Sequence, residues 1–303
     1  MNARPQQAGM APAAPLFAVL ALTLNAFVWG VSWWPFRQLL SLGLHPLWAT
    51  ALVYGLAVVV IVLRWPHSPG QLARTPVLWV LVLAAGGTNA AFNWAVSIGD
   101  VVRVVLLFYL MPLWAVLLAR WLLQERLTRW AACRVLLALA GAAIVLKPAG
   151  AGWPWPSGLA DFLGIAGGFS FALNNVMLRR ESHRPSEGRA LAMFLGGMLV
   201  AGGLALGLAA AGSVAWPPAP RTSWLLPVSA LALAFLGANL ALQYGASRLK
   251  ANVTSVVMLT EVVFASVSAV LLGDQVLTLQ MFVGGAFILA AALLSALEPW
   301  AVA

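Results

Sequence analysis

Long apolar runs alternate with short breaks that carry the prolines and charges, and this pattern dominates the 303-residue chain. A helix that crosses the hydrocarbon core of a bilayer needs about 20 predominantly apolar residues. Ten segments meet or approach that length, at residues 16–36, 45–63, 76–98, 102–123, 131–147, 158–178, 189–211, 225–246, 252–272 and 279–297. Arg64-Trp65-Pro66-His67, Gln124-Glu125-Arg126, Pro148 to Pro156 and Arg179 to Arg189 mark several of the breaks. The pattern predicts an all-α membrane protein with ten transmembrane helices. The first run is too long for the apolar region of a cleaved signal peptide and lacks a cleavage site, so it is read as a span. Residues 1–15, with Pro, Gln, Ala and one arginine, read as a tail, and no loop is long enough to fold as a separate domain.

Composition agrees. The chain is 62% apolar and 8% charged, with mean hydropathy +0.93. Soluble chains run at about 45–50% apolar and about 25% charged, so soluble enzymes, nucleic-acid modules and disordered proteins are excluded. The net charge of +9 comes from 17 cations against only 8 acids. Loops on the cytoplasmic side of membrane proteins collect lysine and arginine. With both termini cytoplasmic, thirteen of the seventeen cations fall inside and only Arg37, Arg103, Lys147 and Arg221 outside. The expected location is the inner membrane of a bacterium. Cys133 is the only cysteine, so no intrachain disulfide or Cys-x-x-Cys site exists, and three scattered histidines do not make a zinc site. No Walker or Rossmann motif is present, so no cofactor and no ATP drive are expected.

Shifting the chain by 150 residues lays 89–128 over 239–278 without a gap. Asn89 then meets Asn239, Asn93 meets Gln243, Trp94 meets Tyr244, Ser97 meets Ser247, and Leu127-Thr128 meets Leu277-Thr278. The chain therefore divides into two five-span repeats, 16–148 and 157–298, after the tail. Five is odd, so the second copy enters the bilayer from the opposite side. Inverted repeats place a binding site near the midplane between them and allow it to open to each side in turn.

The 5 + 5 organisation resembles the drug/metabolite transporter superfamily in its EamA-type branch. Trp29-Gly30-Val31-Ser32 in the first span shares the resemblance, as does Leu110-Met111-Pro112-Leu113-Trp114 running to Leu123-Gln124-Glu125-Arg126-Leu127-Thr128. Its echo is Leu259-Thr260-Glu261-Val262-Val263 to Leu272-Gly273-Asp274. Val96-Ser97-Ile98-Gly99-Asp100 to Val104–Leu110 is similar to the aromatic amino-acid exporters (YddG-type) within it. The chain departs from the family at two positions: Gln124 stands where glycine is usual, and Val262 where proline usually follows Glu261. The resemblance therefore does not carry a kink into span nine.

Candidate site residues follow from polarity at depth. Glu261 lies about ten residues into its span, and a charge there is disfavoured by a few kcal/mol unless it faces the bundle interior or a wet cavity. It reads as a counter-ion for a substrate amino group or a proton carrier, against a protonated side chain satisfied by a neighbouring carbonyl or amide. Thr254 shares its face. Asn89 and Asn93 lie one turn apart on span three, Asn239 and Gln243 likewise on span eight, Asn25 in span one and Asn174 in span six. Amides offer donors and acceptors to an ammonium-plus-carboxylate ligand, although any one of them also serves as interhelical glue. Trp29, Trp94, Tyr109, Phe171 and Tyr244 lie on the amide-bearing helices and suit a cavity for an aromatic or bulky apolar side chain, with lipid-facing packing the alternative. Pro112 frees the Phe108 carbonyl, so a kink is expected there, either a hinge or a static bend. The reading that results is a carrier exporting small amphipathic metabolites, best aromatic or large apolar amino acids, with protons a candidate co-substrate. A carrier of cationic drugs or other metabolites is the alternative. An intramembrane lipid-modifying enzyme is the reading from another class, and no nucleophile–base pair at depth supports it.

Overall fold

The computed structural model describes residues 13–122, 124, 129–147, 153, 155–181, 183–246, 248, 257–273 and 276–297. Among them are only helices, turns and loops. The first span is α1 (Ala13–Val31) and α2 (Trp33–Ser41), joined at Ser32, whose hydroxyl donates to the Trp29 carbonyl at 2.8 Å. Such a bond inside a helix competes with the ladder and bends it. Span two is α3 (Pro46–Arg64), followed by the short α4 (Ser68–Ala73) and by span three, α5 (Leu78–Ile98). Span four is broken into α6 (Val101–Phe108) and α7 (Met111–Leu122), and span five is α8 (Arg129–Leu146). The second half runs α9 (Leu159–Arg180), α10 (Ser186–Ala210), α11 (Thr222–Ala246), α12 (Thr260–Leu272) and α13 (Leu279–Leu297).

Local chemistry sets several boundaries. His45 caps α3 by accepting from the Leu47 amide at 3.2 Å, with Pro46 at the first helical position. Asp100 caps α6 by accepting from the Arg103 amide at 2.8 Å. Six of the described spans are long and apolar enough to cross a membrane, and Ala132–Leu146, Thr260–Leu272 and Leu279–Leu294 are shorter apolar helices. The tenth, α9, has 22 residues but carries Asp161, Asn174 and Asn175 and ends on two arginines.

The packing repeats under a shift of five spans. The contact of α5 with α9 has its mate in α11 with α1, and α5 with α10 has its mate in α11 with α3. Likewise α6 and α7 pack on α9 as α12 packs on α1. The pairs α3–α10, α6–α12 and α8–α13 map onto themselves, so a pseudo-two-fold axis passes through all three. An odd number of spans per half makes the repeats inverted. Small residues allow the closest approaches: a Cβ on Gly141 of α8 would lie 2.6 Å from the Gly284 carbonyl of α13.

One loop residue ties back to the sequence. Gln124 has φ +57°. An L side chain in the left-handed region is disfavoured by roughly 1–2 kcal/mol, which fits the glycine that the resemblance implies at this turn. Gln124→Gly is expected to raise stability by about 0.5–1 kcal/mol, part of the relief being offset by glycine's unfolded-state entropy. Thermal unfolding of the two proteins in the same detergent checks this, and an unchanged or lower midpoint would show that the turn is not strained.

Candidate functional site

A cavity of about 450 Å³ lies between the halves. Its wall comes from α1, α3, α5, α6, α7, α9, α10, α11, α12 and one residue of α13, with Tyr109 and Leu259 from turns and Met258 from the helical residues just before Leu259. Two interruptions in the helices shape it. Tyr109-Leu110 separates α6 from α7, three residues before the position where Pro112 withholds an amide hydrogen from the ladder. The freed Phe108 carbonyl leans on α9 at Gly168, where a Cβ would overlap it. The expected kink is thus a full break. At the matching place in the second half, 150 residues on, a turn at Leu259 precedes α12. No proline enforces it. Gly30 of α1 instead admits α12 closely, since a Cβ there would stand 2.8 Å from the Glu261 carbonyl oxygen. That contact gives the Trp29-Gly30 pair a structural meaning.

Glu261 sits in the first turn of α12. The Tyr109 hydroxyl donates to its Oε2 at 3.4 Å, so the two interruptions are joined across the pseudo-axis. Trp29 stacks on Phe235 at 4.6 Å with the rings 15° apart. Phe92 stands edge-on to both Trp29 and Phe108, and Phe108 continues to Phe171 at 5.3 Å. The result is an almost continuous aromatic wall. The Asn25 amide donates to the Ala238 carbonyl at 2.8 Å, and the Asn89 amide to the Ala85 carbonyl at 2.8 Å. Asn89 Oδ1 accepts from the Tyr54 hydroxyl at 2.5 Å. The Oδ1 atoms of Asn25 and Asn174 are buried without a donor.

Of the residues singled out by sequence, Glu261, Asn25, Trp29, Asn89, Asn239, Asn174, Tyr109, Phe171 and Pro112 line the cavity together. Three others are placed elsewhere. Asn93 is fully buried between α5 and α3, donating to Thr50 at 3.1 Å. Trp94 packs its ring against His45. Tyr244 lies 39% exposed under the Arg248 guanidinium, 3.8 Å from the ring centroid. Thr254 and the side chain of Gln243 fall outside the described residues. Tyr54, Phe92, Met193, Phe194 and Phe235 also line the wall and were not singled out. Only Tyr54 had a signal, a hydroxyl one turn from Thr50 in an otherwise apolar span. Among the described residues no group of three His, Cys, Asp or Glu side chains could hold a metal ion.

The lining residues Asn175, Met193 and Leu242 lie on the halves of α9, α10 and α11 nearest the arginine-rich ends marked by Arg180, Arg189 and Arg248. Polar contacts gather at the opposite end of the helices. Arg103 makes two 2.8 Å bonds to the Asp161 carboxylate and a third, at 2.7 Å, to the Val145 carbonyl. Asp161 also accepts from the Ser157 amide at 3.0 Å. Arg37 donates to the carbonyls of Val96 and Gly99, and Trp33 Nε1 to Ser268 at 2.9 Å. Two of these contacts, Arg103–Asp161 and Trp33–Ser268, join one repeat to the other.

The family model of the EamA-like transporter family matches residues 16–147 and again residues 158–297. The chain belongs to that family. A solved structure described as "Crystal structure of protein" is 22% identical, and the match covers 92% of this chain and 96% of that chain with a TM-score of 0.55, which shows a shared fold. No curated protein matches significantly. The family fixes the class: this is a multi-pass membrane transporter of the drug/metabolite superfamily, and its relatives in the family are transporters rather than enzymes.

Proposed function

We propose that this transporter exports small amphipathic metabolites by alternating access, and that amino acids with aromatic or large apolar side chains are its best-fitting substrates. The observation that carries this is Glu261 set beside Tyr109 in an aromatic-walled cavity between the repeats. A carboxylate at depth meets a substrate ammonium, and the rings of Trp29, Phe235, Phe92 and Phe171 meet the apolar body. The arginine-rich face is assigned to the cytoplasm of a bacterial inner membrane by the positive-inside rule, with both termini there. Substrate then enters from the cytoplasm, and release requires the contacts of Arg103 and Trp33 at the far end to part. The functional units are residues 16–148 and 157–298, preceded by a cytoplasmic tail at 1–15. Glu261 is also placed to carry a proton in exchange for substrate.

A second reading has its own support. The carboxylate has no cationic side chain beside it among the described lining residues, an arrangement that equally suits cationic drugs. Protein reconstituted in liposomes, assayed for flux of labelled aromatic and branched-chain amino acids with and without a pH gradient, separates the readings. Saturable amino-acid flux is expected, and dependence on the gradient marks proton coupling. Movement of a drug cation with no movement of any amino acid would overturn the exporter reading.

A further inference from the structure

We propose that Tyr54 of α3 sets how large a side chain the transporter accepts, the substrate lying across the cavity with its ammonium group at Glu261 and its apolar body against α3 and α10. This deepens the reading above and rests on its seating of an ammonium group at Glu261.

The order of the helices around the cavity gives the direction. Successive contacts close a ring: α3 with α10, α10 with α5, α5 with α9, α9 with α6, α6 with α12, α12 with α1, α1 with α11, and α11 with α3. In that ring the pair α6–α12 stands opposite the pair α3–α10. Both pairs are crossed by the pseudo-axis, which therefore runs through the cavity from one to the other. Glu261 and Tyr109 stand at the α6–α12 end, joined by their 3.4 Å hydrogen bond. Tyr54, Met193 and Phe194 stand at the α3–α10 end and line the same cavity. The lining amides Asn25, Asn89, Asn174, Asn175 and Asn239 belong to α1, α5, α9 and α11, along the two sides between those ends. A substrate whose head meets Glu261 presents its side chain to the opposite end.

Tyr54 fixes the depth of that end. Its hydroxyl donates to Asn89 Oδ1 at 2.5 Å, and its ring is flanked by Phe194 at 5.5 Å and Phe235 at 5.9 Å. The ring fits against α10 because residue 197 is glycine, where a Cβ would overlap it. A ring held by its hydroxyl, by two neighbouring rings and by the α10 backbone does not swing aside for a larger ligand. Its position therefore marks where the space for a side chain stops.

Full-length protein in liposomes can be assayed for flux of leucine, phenylalanine and naphthylalanine. The readout is the ratio of kcat/KM for naphthylalanine to that for leucine, which does not depend on how much of a variant folds. One methylene in an apolar pocket changes discrimination by about 10- to 200-fold, so Tyr54→Ala is expected to raise the ratio about tenfold or more. Tyr54→Phe keeps the ring and should hold the ratio within about threefold. Glu261→Gln, at the other end, should weaken all three substrates alike and leave the ratio within the same limit. Should Tyr54→Ala not fold, Tyr54→Leu decides, with the same sign expected. A ratio that removal of the Tyr54 ring leaves unchanged overturns the proposal while the exporter reading stands. So does a larger rise in Phe171→Ala, on a side wall, than in the Tyr54 variant. Failure of the wild-type protein to move any of the three overturns both.

Discussion

Glu261→Gln is expected to lower affinity for an ammonium-bearing substrate about 10- to 100-fold while raising the unfolding temperature. A hydrogen bond to a charged group contributes about 1.5–3 kcal/mol, which sets the first magnitude. The sign of the second comes from the bilayer: holding a charge near its centre is disfavoured by about 2.5–3.5 kcal/mol on insertion scales, and the amide removes that burden. Shape is conserved, and the Tyr109 hydroxyl can still donate to the amide oxygen. Binding titrations and thermal unfolding on the same preparation check both signs. Flux assays add a third outcome, because loss of pH dependence with binding retained would make Glu261 a proton carrier rather than a counter-ion. Wild-type binding, flux and pH dependence together would remove both roles.

Asp161→Asn has the next largest expected effect, at the other end of the molecule. Its partner Arg103 is 21% exposed and Asp161 7%, so the pair stands between a surface bridge worth about 0–1 kcal/mol and a buried one whose disruption costs about 3–5 kcal/mol. We expect a shift of roughly 2–4 kcal/mol against the arrangement that joins the repeats at that end. In a Cys133→Ser background, a cysteine placed at Ser97, buried near that end of α5, should become reactive to a membrane-impermeant thiol reagent in Asp161→Asn and stay protected otherwise. A lowered unfolding temperature with unchanged labelling would make the pair structural rather than a closure.

The spans were legible because a bilayer demands one long apolar run per crossing, and the matched pairings of α5 with α9 and of α11 with α1 follow from the repeat. Asn25, Trp29 and Glu261 were legible because polarity or amphipathic bulk at depth needs a reason. The choice between Asn89 and Asn93 was not. They share a face one turn apart, and only the positions of Tyr54 and Thr50 on the neighbouring helix send one to the cavity and the other into packing. Phe235 was invisible, since one ring in an apolar helix looks like any other until Trp29 stacks on it. Tyr244 shows the converse: its match with Trp94 reflects shared ancestry of position, while Arg248 decides its surroundings.

The two helix interruptions differ in kind, and that difference has a mechanical consequence. The one at Tyr109-Leu110 is written into the covalent chain, since a pyrrolidine ring at Pro112 can never complete the ladder. The one at Leu259 rests on neighbours alone: its backbone dihedrals, −62° and −17°, are already helical. Closing that ladder asks for no change in the covalent chain, only for room beside α12 where Gly30 of α1 now stands, whereas the first interruption stays open whatever its neighbours do.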